Sequence, residues 1–232
     1  MGWFFFDPMY LVFAVPGLLL ALYASYKTKS TFGRFSRVAS ALGLTGGEAA
    51  RRLLAHAGVS DVRIEQVQGF LSDHYDPTQR VLRLSPAVYQ SNSLAAIGVA
   101  CHEAGHAIQH ARHYAWLGLR TALVPATSVS SWLSYMVILV GFVLSSTPFI
   151  LLGALIFSAA VLFSIVTLPV EWDASHRAKQ LMVNSSIVSR QEAAIAGKVL
   201  DAAFLTYVAA AVSSVMTLLY YLMRAGVFGG DD

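Results

Sequence analysis

The chain has 232 residues, of which 56% are hydrophobic and only 12% charged, with a net charge of +3. Soluble domains carry roughly 25% charged residues, so a composition this poor in charge excludes an ordinary water-soluble globule and points to a surface that faces lipid. A single cysteine, Cys101, excludes an intramolecular disulfide and a thiolate metal cluster, and basic residues scattered without interleaved aromatics do not suit nucleic acid.

In chain order, the first apolar run covers residues 9–26, about the minimum length to cross a bilayer. Pro16-Gly17 interrupts it, which a membrane helix tolerates. Positive charge follows this run, at Lys27 and Lys29, instead of preceding it; that order is expected of a retained anchor and not of a cleavable signal. Residues 27–120 read as a small α+β unit. Thr45 and Glu48 make a capping box ahead of Ala49, Ala50, Leu53 and Leu54, and Gly58 is a plausible stop, so a helix is expected there. Val62 and Ile64, then Val81, Leu82 and Leu84, indicate short strands, with Asp76-Pro77 as a turn signal between strand-like stretches. Ser91 or Ser93 caps a long helix from Leu94 to about Tyr114. Apolar runs at 123–144 and 149–168 form a hairpin of spans around Ser145-Ser146-Thr147-Pro148. A polar stretch at 169–200 and a fourth run at 202–223 complete the chain.

Charge orients these spans. Eleven Lys/Arg lie between the first and second runs, four between the third and fourth, and Arg224 alone lies elsewhere. The positive-inside rule then places both polar segments in the cytoplasm and the two termini outside, with the plasma membrane as the expected location.

The text that carries chemistry is Cys101-His102-Glu103-Ala104-Gly105-His106. It contains His-Glu-x-x-His. On a helix, positions four apart share one face, so His102 and His106 can present two imidazole nitrogens to one zinc ion. Glu103, beside the first of them, is placed to reach a water and accept its proton as that water attacks a carbonyl. Cys101 reads as a small packing residue. Gly46-Gly47 lacks the spacing of a phosphate loop, and no other cofactor motif is present.

A catalytic zinc usually has three protein ligands and one open position. The metzincin pattern fails, because Gln109 and Arg112 stand where it requires Gly and His, and His113 is out of register by one. His110 continues the helix face, but three ligands along a straight helix cannot converge on one ion. A carboxylate from a second helix is the better choice. Glu171, in Pro169-Val170-Glu171-Trp172-Asp173, follows the third apolar run, where an acidic residue is costly and is by default a functional candidate. Asp173 is the rival, roughly 200° around the helix from it. Glu192 is more remote. Near the strands, His74 or Tyr75 of Asp73-His74-Tyr75-Asp76 could donate a hydrogen bond to a developing oxyanion.

With these residues in view, the chain resembles the YugP-type family of neutral zinc metallopeptidases. The resemblance rests on Leu71-Ser72-Asp73-His74-Tyr75-Asp76-Pro77, on Val81-Leu82-Arg83-Leu84-Ser85, on the helix from Val99 to Gln109, and on Pro169 to Ser175. It runs through most of the chain. More distantly, the layout is similar to the HtpX-type membrane proteases, which also set two apolar spans between the His-Glu-x-x-His helix and a later Glu. In that group the later motif reads Glu-x-x-x-Asp. Here Glu171 matches its ligand, and Ser175 stands at the Asp position.

The expected fold is therefore a mostly α membrane protein: about four transmembrane helices and a small cytoplasmic α+β, zincin-like (gluzincin-type) catalytic domain. The expected activity is zinc-dependent hydrolysis of peptide bonds in a peptide or membrane-protein substrate beside the bilayer. Glu103 is its general base, His74 a further catalytic candidate, and His102, His106 and Glu171 are the metal ligands. Two other classes fit the same residues: a membrane scaffold or partner-binding protein with a metal site that does not turn over, and a metal-dependent hydrolase of a non-peptide substrate. Chelator-sensitive cleavage of an unstructured peptide separates the first from the peptidase, and comparing peptide with lipid substrates separates the second. No residue pattern specifies an oligomeric state.

Overall fold

The structure is a computed structural model that describes residues 7–69 and 72–228. The elements in chain order are α1 (Pro8–Phe35), α2 (Gly46–His56), β1 (Arg63–Gln66), β2 (His74–Asp76), β3 (Val81–Leu84), α3 (Pro86–Tyr89), α4 (Leu94–Ala111), α5 (Ala115–Val143), α6 (Thr147–Asn184) and α7 (Arg190–Arg224). Among the described residues, α1, α5, α6 and α7 are the four helices long and apolar enough to cross a membrane. This is a mostly α membrane protein with a small α+β part. Pro16, Pro125 and Pro169 all lie inside these long helices.

The chain divides into two compact units. One holds the described residues up to Ala24, Leu119–Leu168, and the described residues from Thr206 onward. Its interior packs Ile138, Ala154, Phe157, Val161, Tyr220 and Tyr221 together. Glycines let its helices approach closely: a Cβ on Gly17 would stand 2.6 Å from the Ser213 hydroxyl. Much of its apolar surface stays outward, including Val129, Trp132, Leu139, Val143 and Leu155, as lipid-facing helices require.

The second unit, Ser25–Gly118 with Pro169–Leu205, is built as a soluble domain is. Leu53 and Leu54 of α2, Leu82 and Leu84 of β3, Leu94, Ile97 and Ile108 of α4, and Met182 of α6 form one buried core. Each fully buried side chain of this size contributes about 1.5–3 kcal/mol. The Thr45–Glu48 capping box starts α2, with Glu48 N–H on the Thr45 hydroxyl and the Thr45 N–H on the Glu48 carboxylate. Ser93 starts α4 by accepting the Ala96 N–H at 3.2 Å. That helix stops at Arg112, where His113 takes a left-handed conformation (φ 52°) and the Tyr114 N–H returns to the Gln109 carbonyl at 2.9 Å. Glu192 closes a capping box with Ser189 at the start of α7 and also accepts the Ala41 N–H at 2.7 Å.

The sheet order is β1-β3-β2, with β1 parallel and β2 antiparallel to the central β3. Leu82 and Leu84 bury β3 in the core it shares with α4 and α2. Asp76 shapes the β2–β3 turn: its carboxylate accepts from the Thr78 N–H, the Thr78 hydroxyl, the Gln79 N–H and the Arg83 guanidinium. β2 is an edge strand of the described three-stranded sheet.

Candidate metal centre

Three side chains from two helices of the second unit meet at one point. His102 and His106 stand one turn apart on α4, with ring centroids 4.8 Å apart and planes at 82°. Glu171 of α6 faces both. Its Oε2 lies 3.2 Å from His102 Nε2 and 3.4 Å from His106 Nε2. Among the described residues these three form the group able to hold a metal ion, with their ligand atoms all within 4.8 Å of one another.

A glycine in the motif makes this meeting possible. A Cβ on Gly105 would lie 2.7 Å from the Ala174 carbonyl oxygen of α6, so only a residue without a side chain admits the second helix so close. Gly98, two turns earlier, lies in a similar way against Ala196 of α7, at a less severe 3.3 Å. The two contacts seat α4 against α6 and α7.

The donor set fits zinc. Ligands at about 2.0–2.1 Å around a tetrahedral ion stand roughly 3.3 Å apart, and the two carboxylate–imidazole separations, 3.2 and 3.4 Å, match that edge. Two imidazoles and a carboxylate are also the His₂Glu set of hydrolytic zinc sites, which leaves one position open. Glu171 is 1% exposed, and a carboxylate so deeply buried is costly unless cations or hydrogen-bond donors face it.

The surroundings hold the ligands from behind. His106 Nδ1 is 3.0 Å from Gln109 Oε1, and Gln109 Nε2 donates to the Val170 carbonyl and to Asp173, both at 2.8 Å. Asp173 also accepts from Arg177 Nε at 2.5 Å. His102 Nδ1 is 3.1 Å from the Ser175 hydroxyl. Glu103 is half-buried beside His102. Desolvation pushes its carboxyl above the ordinary range; His102 and His106 pull it back, and the Glu171 and Asp73 carboxylates push it further up.

The chain matches, over residues 10–226, the model of a family described as "Putative neutral zinc metallopeptidase". The chain belongs to this family. It is also 45% identical over 215 residues to the "Putative membrane protease YugP" of Bacillus subtilis (strain 168), covering 93% of this chain and 96% of that one. No solved structure matches it. Membership makes this a zinc metallopeptidase with Zn2+ as its cofactor, and the four long apolar helices together with this relative make it a membrane protein.

Within this membrane peptidase, the other residues singled out from the sequence divide clearly. Asp173 faces Gln109 and Arg177, outside the three-residue group. His110 Nδ1 engages the Tyr75 hydroxyl at 2.8 Å. His74 is exposed on β2 with Nδ1 2.7 Å from the Ser72 carbonyl. Asp73 clamps the entry to β2, accepting from the Ser85 N–H at 2.7 Å and from the Ser85 hydroxyl. Cys101 is fully buried in the core, where desolvation pushes its thiol up and keeps it protonated. Gln109, which in the sequence only breaks the metzincin pattern, is in the structure the partner of His106 Nδ1. A signal for it existed: Gln109 sits three residues after His106, on the same helical face and inside an apolar stretch.

Proposed function

We propose that the protein is an endopeptidase in which His102, His106 and Glu171 hold the zinc and Glu103 is the general base. The observation that carries this reading is the buried Glu171 carboxylate standing 3.2 and 3.4 Å from two imidazole nitrogens of a His-Glu-x-x-His helix. Bound zinc supplies Lewis acidity, polarising the scissile carbonyl and lowering the pKa of water toward about 7. Glu103 accepts a proton from the attacking water as its oxygen bonds to the carbonyl carbon. It then passes that proton to the amine nitrogen as the C–N bond breaks.

The edge position of β2 in the described sheet suits a substrate that enters as an added strand, held by main-chain hydrogen bonds. His74, exposed on β2, is the candidate to steady the developing oxyanion, while the Tyr75 hydroxyl is engaged with His110. The excess of Lys/Arg in residues 27–120 and 169–200 supports a cytoplasmic position for this unit at the cell membrane, where it would act on peptide segments that reach the bilayer surface.

The test is cleavage of an unstructured fluorogenic peptide library by purified protein and by Glu103→Gln. The parent should cleave, a chelator should stop it, and Glu103→Gln should bind zinc but lose about 10²–10⁴-fold in rate. Equal rates for the two proteins would dismiss Glu103 as the base.

A further inference from the structure

Gln109 is 0% exposed and carries an amide whose two ends face different chemistry. At one end Nε2 meets the Val170 carbonyl and the Asp173 carboxylate, both at 2.8 Å. Neither partner has a proton to give, and Asp173 is itself held by Arg177. Turning the amide over would set Oε1 against two oxygens. The nitrogen therefore belongs at that end, and Oε1 belongs toward His106.

This orientation has a consequence for the metal ligand. An amide oxygen only accepts, so His106 Nδ1, 3.0 Å away, must be the donor. With the proton on Nδ1, the lone pair of neutral His106 lies on Nε2, the atom that faces Glu171. His102 differs. Its Nδ1 meets the Ser175 hydroxyl at 3.1 Å, and a hydroxyl donates or accepts as required. One imidazole is thus preset and the other is free to adjust. The same amide also grips the backbone at Val170, the residue before Glu171, so it braces ligands on both helices.

Building on the ligand assignment above, we propose that Gln109 is a positioning residue of the zinc site. It fixes the tautomer and ring angle of His106 and locks α4 to α6 beside Glu171, with Asp173 and Arg177 holding the amide in turn.

The test uses the full-length protein in detergent and measures zinc affinity by competition with a chromophoric chelator. Gln109→Leu should bind zinc about 10–100-fold more weakly than the parent, the usual cost of losing a group that orients a ligand histidine. In zinc-loaded protein labelled with ¹⁵N-histidine, parental His106 should show a protonated, slowly exchanging Nδ1, and that proton should exchange with water faster in Gln109→Leu. Should Gln109→Leu fail to fold, Asp173→Ala and Asp173→Asn carry the test. The first removes an acceptor from Nε2 and should weaken zinc binding; the second keeps one and should stay close to the parent. Parental affinity in Gln109→Leu, or in Asp173→Ala, overturns the proposal, and so does a parental His106 protonated at Nε2. The ligand assignment fails separately, by full zinc binding in His106→Ala.

Discussion

Replacing Gly105 with alanine tests the packing that assembles the site. The new Cβ would stand 2.7 Å from the Ala174 carbonyl oxygen and 3.3 Å from the Ala174 C and Cα. These are backbone atoms of a helix, so no side chain can swing aside. Reaching ordinary contact at about 3.4 Å requires α4 and α6 to part by roughly 0.7 Å at this point. Overpacking of this kind costs about 1–3 kcal/mol, offset by about 0.8–1.0 kcal/mol from the better helix propensity of alanine. Net stability should therefore fall only modestly. Zinc binding should fall much further, because Glu171 rides on α6 three residues before Ala174. Metal sites tolerate ligand displacements of only about 0.2 Å, so affinity should drop about tenfold or more. The assay pairs zinc affinity with thermal unfolding. Gly118→Ala is the control, since a Cβ there meets nothing within 4 Å; it should leave zinc binding unchanged. Parental zinc affinity in Gly105→Ala would refute the close-approach argument.

Two further predictions concern the sheet and the membrane orientation. Asp76 is held well below the usual carboxylate range by hydrogen bonds from the Thr78 hydroxyl, the Gln79 amide and the Arg83 guanidinium. A depressed folded pKa contributes stability that is present above the unfolded value of about 3.9 and is lost as pH falls through the folded value. Asp76→Asn should thus unfold below the parent at neutral pH, with the gap closing in acid; a gap that does not depend on pH would contradict this. A cysteine introduced at exposed Ser60 should react with a membrane-impermeant maleimide only after cells are permeabilised, while buried Cys101 stays unlabelled. Labelling of intact cells would reverse the proposed orientation.

What was legible in the sequence is what depends on near neighbours. The Thr45–Glu48 box, the Ser93 cap and the one-turn spacing of His102 and His106 are all set within four residues. Glu171 could be picked out as well, because a carboxylate directly after an apolar run is expensive without a partner. The remainder depends on distant contacts. β2 has three residues and too little pattern to mark it as a strand; it exists because His74, Tyr75 and Asp76 pair with Arg83, Leu82 and Val81. The parallel pairing of β1 with β3 leaves no local trace either. Gln109 acquires its role from Val170 and Asp173, more than sixty residues away. Ser175, which departs from the Glu-x-x-x-Asp pattern, nevertheless reaches His102 Nδ1 with its hydroxyl.

The most direct measurement is zinc content per chain, by elemental analysis of purified parent, His102→Ala, His106→Ala and Glu171→Ala proteins of verified fold. The parent should carry one zinc and each variant close to none, Glu171→Ala included. A Glu171→Ala protein that keeps a full zinc complement would show that the third ligand comes from elsewhere, and the site described here would be wrong.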